Sequence, residues 1–257
     1  MAKPDRRAGF SLIEIVIALS LMALLAGAMA PLALRQITGN RQKATLEKMK
    51  RLLAGMLGDP ALGDYGYLGE MGQLPDALAD LNQRGSQPAW AIDAGYGIGA
   101  GYNGPYVPQA GPANAAFVDS WGTGFQYASS AARVTSAGPD RSFGTADDLA
   151  WPATAPAVTA ELRIRVEGIP NDGGPTELLD PSRVDLFVSL PVNGVRSESQ
   201  LPDAEPFVRT GVPPGLHGVR AVGEGSYAGA SARDVVEVRR GTRLATLVLV
   251  EPAGGGG

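Results

Sequence analysis

The chain of 257 residues has no cysteine and a single histidine, His217. Without cysteine no disulfide can fasten its loops, even in an oxidising compartment. With one histidine in a β-patterned segment, and no base and orienter converging on a serine, the ingredients of nucleophilic catalysis are missing. No glycine-rich phosphate loop opens a helix, and the chain is read as non-enzymatic. Lysine is also scarce. All four (Lys3, Lys43, Lys48, Lys50) fall in the first 58 residues. The remainder is acidic, which excludes a nucleic-acid-binding surface.

What is abundant is glycine (35) and proline (20), a composition that favours strands and turns over helix once the first segment is passed. The formal charge of −4 is unevenly spread. The first 58 residues are net basic and the rest net acidic, so copies can attract one another through opposite ends.

The N-terminal segment is the exception to the turn-rich composition. "MAKPDRRAG" carries Lys3, Arg6 and Arg7, and an apolar run from Phe10 to Leu34 follows. At about 1.5 Å per residue that run spans roughly 37 Å, against a bilayer core of about 30 Å. The basic flank orients the leader to the cytoplasm. A cleaved secretory signal would use Ala28-Met29-Ala30, but its apolar core would be too long and interrupted by Glu14. A plain membrane anchor explains the length. It does not explain the acid, which costs about 2.5–3.5 kcal/mol at mid-bilayer.

The stretch Gly9-Phe10-Ser11-Leu12-Ile13-Glu14 resembles the processing signal of the type IV pilin family, which includes pilins and the pseudopilins of type II secretion. The resemblance implies cleavage by a prepilin peptidase between Gly9 and Phe10 and N-methylation of Phe10. It also implies pairing of Glu14 with the N-terminal amine of a neighbouring subunit. An acid near a helix N-terminus is favoured by the dipole, and an intramembrane acid is tolerable only when paired. Leu46, Met49, Leu52, Leu53, Met56 and Leu57 recur at spacings of three and four, so the helix is expected to continue to Gly58-Asp59-Pro60. Pro31 and Thr38-Gly39-Asn40 are weak points within it.

Residues 59–151 lack a long helical period. Gln73–Leu81 predicts a short helix with Pro75 in its first turn. Turn signals flank short aromatic strands in Gly101–Val107 and Asp119–Tyr127. The order LPDAL, GYNGPYV, DSWGTGFQY, SAGPDRSFGTADDL is similar to the head of the major pseudopilin of type II secretion. That likeness implies a structural calcium site on the loop Ser136–Leu149, with Asp140, Asp147 and Asp148 as ligands and Ser136 beside them. Hard oxygen donors on a flexible loop suit calcium, although the spacing is not that of an EF-hand. Read without the family, the same residues are ordinary turn chemistry.

Residues 152–159 read as a Pro/Ala linker. Beyond it the period becomes two. Six strands are expected, near 161–167, 184–190, 206–209, 216–222, 235–238 and 244–250, forming an antiparallel β-sandwich over 160–251. Thr210–Val222 resembles transthyretin-like, carboxypeptidase-regulatory domains. Residues 252–257 form a flexible tail.

The expected fold class is therefore α+β. A leader (1–9) precedes a long transmembrane and assembly helix (10–58), a small pilin-type head with a calcium loop (59–151) and the sandwich. The expected function is that of a structural subunit in a homo-oligomeric or mixed pseudopilin filament. Its partners would be the prepilin peptidase and the inner-membrane secretion platform. Its place would be the bacterial inner membrane, N-terminus in the cytoplasm and heads in the periplasm. A minor pilin or pilus-anchored adhesin at the cell surface, with the sandwich holding a surface ligand, is the alternative.

Overall fold

The computed structural model describes residues 11–108 and 115–253. Gly9 and Phe10 lie outside the described residues. One helix, α1, runs over Leu12–Leu57, 46 residues in all. Ser11 caps its start, its hydroxyl accepting from the Glu14 N–H at 3.3 Å. The helix passes through position 31 without a break and stops where the Gly-Asp-Pro signal predicts. Gly58 adopts φ +63° and donates its N–H to Ala54 O at 2.7 Å. A Cβ there would lie 2.4 Å from Asp64 O and Gly66 N, so the tight exit requires glycine.

Among the described residues no helix is long and apolar enough to cross a membrane. Phe10 and the side chains at 26, 28 and 30–32 lie outside the described set and interrupt the run expected from Phe10 to Leu34.

The head wraps the C-terminal part of α1. Its elements are a one-turn helix α2 (Gly66–Met71), the hairpin β1 (Ala91–Ile92) and β2 (Gly99–Ala100), and a meander of β3 (Gln126–Ala128), β4 (Arg133–Ser136) and β5 (Leu149–Trp151). Met49, Leu52, Met56 and Leu57 of α1 are buried with Tyr67, Leu68, Met71, Leu81, Val107 and Val134. The helix expected at 73–81 is only a 3-10 turn, Leu78–Leu81; after Pro75 too few residues remain to nucleate an α-helix. The aromatic segment 101–107 makes a lone bridge, Ala89 to Tyr102, rather than a strand. Its tyrosines turn inward instead, Tyr106 packing edge-on against Tyr67 and Tyr102.

The linker residues 152–159 form no regular element, yet Val158 packs against the head core. The sandwich follows: β6 (Ala160–Ile169), β7 (Glu177–Leu178), β8 (Val184–Val192), β9 (Val195–Gln200), β10 (Phe207–Val212), β11 (Gly215–Gly223), β12 (Ser231–Val238) and β13 (Thr242–Val250). One sheet has the order β10-β6-β13, with β7 also on β6; the other has β12-β11-β8-β9. All six expected strands are present. The two unforeseen ones are the polar β9 and the two-residue β7.

The sandwich is not wholly antiparallel. β6 and β13 pair in parallel, from Glu161 opposite Thr242 to Ile169 opposite Val250. First and last strands of the domain run the same way, and the whole intervening chain serves as the long crossover that parallel neighbours need. The core follows the period of two: Leu162, Ile164 and Val166 from β6 meet Leu186 and Val188 from β8, Val219 and Ala221 from β11, and Leu247 and Leu249 from β13.

Candidate functional site

Three places carry the candidate functional residues: the start of α1, the loop between β4 and β5, and the junction of head and sandwich. Glu14 sits in the first turn of α1 with its side chain exposed. Around it Leu12, Ile13, Ile15, Val16, Ile17, Leu19, Leu21, Met22, Leu24 and Leu25 are all at least half exposed. An apolar cylinder of this kind is stable only in a non-aqueous cover or against other apolar surfaces.

Further along, the same helix becomes a docking element. Thr45 is fully buried and its Oγ1 accepts from Ser120 N at 3.1 Å. Lys48 Nζ donates to the carbonyls of Ala115 and Val118 at 3.3 and 2.9 Å. Through one unbroken helix the apolar start is continuous with the head.

Residues 4–30 match the prokaryotic N-terminal methylation motif. Such a motif supports a type IV pilin-like precursor processed by a prepilin peptidase. No curated protein matches the chain. Of the residues expected to act in processing and assembly, Glu14 is described in full; Pro31 is helical in backbone, and its side chain lies outside the description.

The acidic loop is organised by its own backbone. Asp147 accepts from Asp140 N at 3.2 Å and from Thr145 Oγ1 at 2.7 Å. The Thr145 hydroxyl bond, followed by the N–H of Asp140, draws the Asp147 carboxyl below its usual pKa. Asp148 Oδ2 accepts from Gly144 N at 2.7 Å, and Asp140 Oδ1 from Ser142 N at 2.8 Å. Ser136 is buried and points elsewhere: its hydroxyl donates to Asp119 Oδ2 at 2.7 Å. Among the described residues no three His, Cys, Asp or Glu side chains stand together as a metal cage. One feature of the loop does fit a cation. Asp148 Oδ1 is shielded from solvent and has no hydrogen-bond partner, and an orphaned carboxylate oxygen is costly unless something positive meets it.

The junction was not foreseen. The Tyr96 ring lies flat on Gly218 of β11, where a Cβ would stand 2.5 Å from the ring. Its hydroxyl donates to Glu198 Oε1 at 2.7 Å, and Glu198 pairs with Arg220 at 2.6 Å. Tyr65 donates to Glu237 Oε1 at 2.9 Å. Gly194 N donates to Met71 O at 2.9 Å. Arg196 spans the seam, donating to the carbonyls of Gly99, Ser189 and Leu216 at 2.7–3.3 Å. Burial pushes its guanidinium down to about 10, and the Asp93 carboxylate only partly opposes the fall. Beside it, Glu70 receives Asn103 Nδ2 at 3.1 Å and the Tyr106 hydroxyl; burial raises the Glu70 pKa, and these two bonds oppose the rise. Sequence offered only a faint sign of this seam: a glycine-rich stretch, 94–101, around one tyrosine.

His217 is fully buried inside the sandwich, Nε2 2.7 Å from Pro213 O and Nδ1 without a partner. Burial pushes its pKa down to about 4. It is a neutral interior group.

Proposed function

We propose that this chain is a structural pseudopilin subunit of a type II secretion system. Cleavage between Gly9 and Phe10 and methylation of Phe10 would release it for polymerisation into a periplasmic filament. The observation that carries this reading is continuity. The methylation motif runs directly into a helix whose first half is apolar and exposed and whose second half is locked into the head. A bilayer would cover the first half before assembly, and neighbouring helices would cover it afterwards. Glu14 would be held in register by the amine of an adjoining Phe10, because a carboxylate in apolar surroundings is tolerated only with a partner. The exported part would be the head and the transthyretin-like sandwich. Their tight seam favours a structural role for the sandwich over a tethered adhesin.

Mass analysis of the mature protein tests the reading. It should begin at a methylated Phe10; a chain starting at Pro31, or retaining Met1–Gly9, would overturn it. Glu14→Ala should insert in the membrane normally yet form few filaments, as seen by shearing and electron microscopy. Normal filament yield would remove the proposed pairing.

Calcium belongs to the same proposal. Asp140, Asp147 and Asp148 would supply carboxylates and the β4–β5 loop its carbonyls, with the unpartnered Asp148 Oδ1 as the strongest candidate ligand. A bound cation would close the loop as a cross-link would. Chelation by EGTA should lower the melting temperature of the head and open the loop to protease. No change in either would refute a structural cation.

A further inference from the structure

The two outer faces of the sandwich are unlike. The face of β8, β9, β11 and β12 is covered by the head through Tyr65, Tyr96 and Arg196. Among the described residues the face of β6, β10 and β13 is open, and Leu244, Val248 and Val250 of β13 are 44–59% exposed.

The four edge strands differ in the same sense. Natural sheets guard their edges with charge, bulges or cover. β9 carries Arg196 and Glu198 and lies under the head. β12 carries Arg233, Asp234 and Glu237. β10 has a register shift between Arg209 and Val212. Among the described residues β13 has neither bulge nor cover: it runs nine residues in unbroken register with β6, with a single charge near its start and no proline.

The free side of β13 can be assigned residue by residue. Gly241 O accepts from Glu161 N at 3.0 Å, and Glu251 N donates to Ile169 O at 2.9 Å. Odd positions therefore face β6. By alternation, the N–H and C=O groups of Thr242, Leu244, Thr246, Val248 and Val250 point to the open edge.

We propose that this edge pairs with β13 of a second copy of the chain, antiparallel and two-fold, joining the two sheets into one. A two-fold axis perpendicular to the sheet keeps outer residues facing outer residues, so opposed positions must share parity. Centred on Leu247, the register sets Leu244 opposite Val250 and Thr246 opposite Val248. The apolar row is then continuous across the seam. The same register sets Arg243 opposite Glu251, twice. The charges support it: among the described residues neither Arg240 nor Arg243 has an ion-pair partner. Glu251, its carboxylate on Asn171 N, stands with Asp172 at the far end of the strand. Basic start meets acidic end only in the antiparallel arrangement.

The chain has no cysteine, so an introduced pair reports without background. Opposed residues of antiparallel strands lie within disulfide reach. Full-length chains carrying Thr246→Cys and Val248→Cys singly are co-produced, purified together in detergent and mildly oxidised. The expected product is a 246–248 linked dimer, several-fold above the yield from Arg233→Cys paired with Val248→Cys. Arg243→Glu should cut that yield several-fold, and adding Glu251→Arg should restore it. Yield equal to the control, no rescue by the double reversal, or linkage to a different protein would each overturn the proposal.

Discussion

Head and sandwich are both built largely of β structure, and they are held together in opposite ways. The sandwich buries alternate residues of long strands, so its core is a property of its own sequence. The head has strands of two to four residues and buries its apolar groups against one face of α1. One is a domain in its own right; the other depends on a helix whose first half requires a different environment altogether. Their seam decides whether they unfold as one body or two. All three tryptophans, Trp90, Trp121 and Trp151, lie in the head. Tryptophan fluorescence therefore reads the head, with Trp90 at its seam beside Arg196 and Leu216, while perturbations can be placed in the sandwich.

The largest effect is expected from Ile164→Ala. Ile164 is fully buried at the centre of β6, and truncation there costs about 2–5 kcal/mol through lost transfer energy and a residual cavity. If the seam makes the parts one cooperative unit, the tryptophan transition in urea should move to lower denaturant together with the far-ultraviolet signal. A tryptophan midpoint that stays in place while the β signal shifts would show two independent bodies.

Acid offers a second perturbation of the sandwich. Burial lowers the His217 pKa to about 4, from a usual 6.5. The folded state holds a neutral imidazole, whereas the unfolded chain binds a proton once pH falls below the usual value. The stabilising contribution is therefore complete above about pH 6.5. It is lost progressively as pH falls toward about 4, by an order of 3 kcal/mol in total. His217→Gln should flatten the urea midpoint between those limits. In the wild type the head's tryptophans should follow the decline, though no histidine lies in the head. A wild-type midpoint independent of pH in that window would refute the buried neutral state.

The contrast between the two regions also explains what could be read in advance. The strand β6 announces itself because apolar and charged residues alternate there, and β8 and β13 because short apolar runs are bounded by turn signals. β9, Val-Arg-Ser-Glu-Ser-Gln, carries no such signal. It is an edge strand, polar on both faces, and its place is set by β8 and the overlying head. In the head, the end of α1 was legible from Gly58-Asp59-Pro60. The aromatic segment 101–107 was not, because its tyrosines are directed by packing on α1 and α2 rather than by a ladder. Ser136 illustrates the same limit. Its place in the acidic loop is visible in sequence, while its bond to Asp119, seventeen residues away, is visible only in the fold. The seam itself depends on Tyr96 meeting Gly218, a pairing that no local period encodes.

The smallest expected effect addresses that seam directly. Tyr65→Phe deletes the hydroxyl that donates to Glu237 Oε1 at 2.9 Å. Burial, followed by the hydrogen bond to Glu237, pushes the Tyr65 phenol up to about 12, so the donor is neutral at any working pH. Glu237 keeps Arg239, whose Nε lies 2.8 Å away, and so is not stranded by the change. The loss should be that of one hydrogen bond, about 0.5–1.5 kcal/mol, and the tryptophan and β signals should still coincide. Tyr96→Phe, which deletes the bond to Glu198, should act alike. Combining both with Ile164→Ala sharpens the test, since a weakened seam must withstand a strongly destabilised sandwich. Should the tryptophan midpoint then separate from the β midpoint, these two phenols are what couples the parts. Should the midpoints stay together, the coupling resides in backbone contacts such as Gly194 to Met71 and in the carbonyls gathered by Arg196.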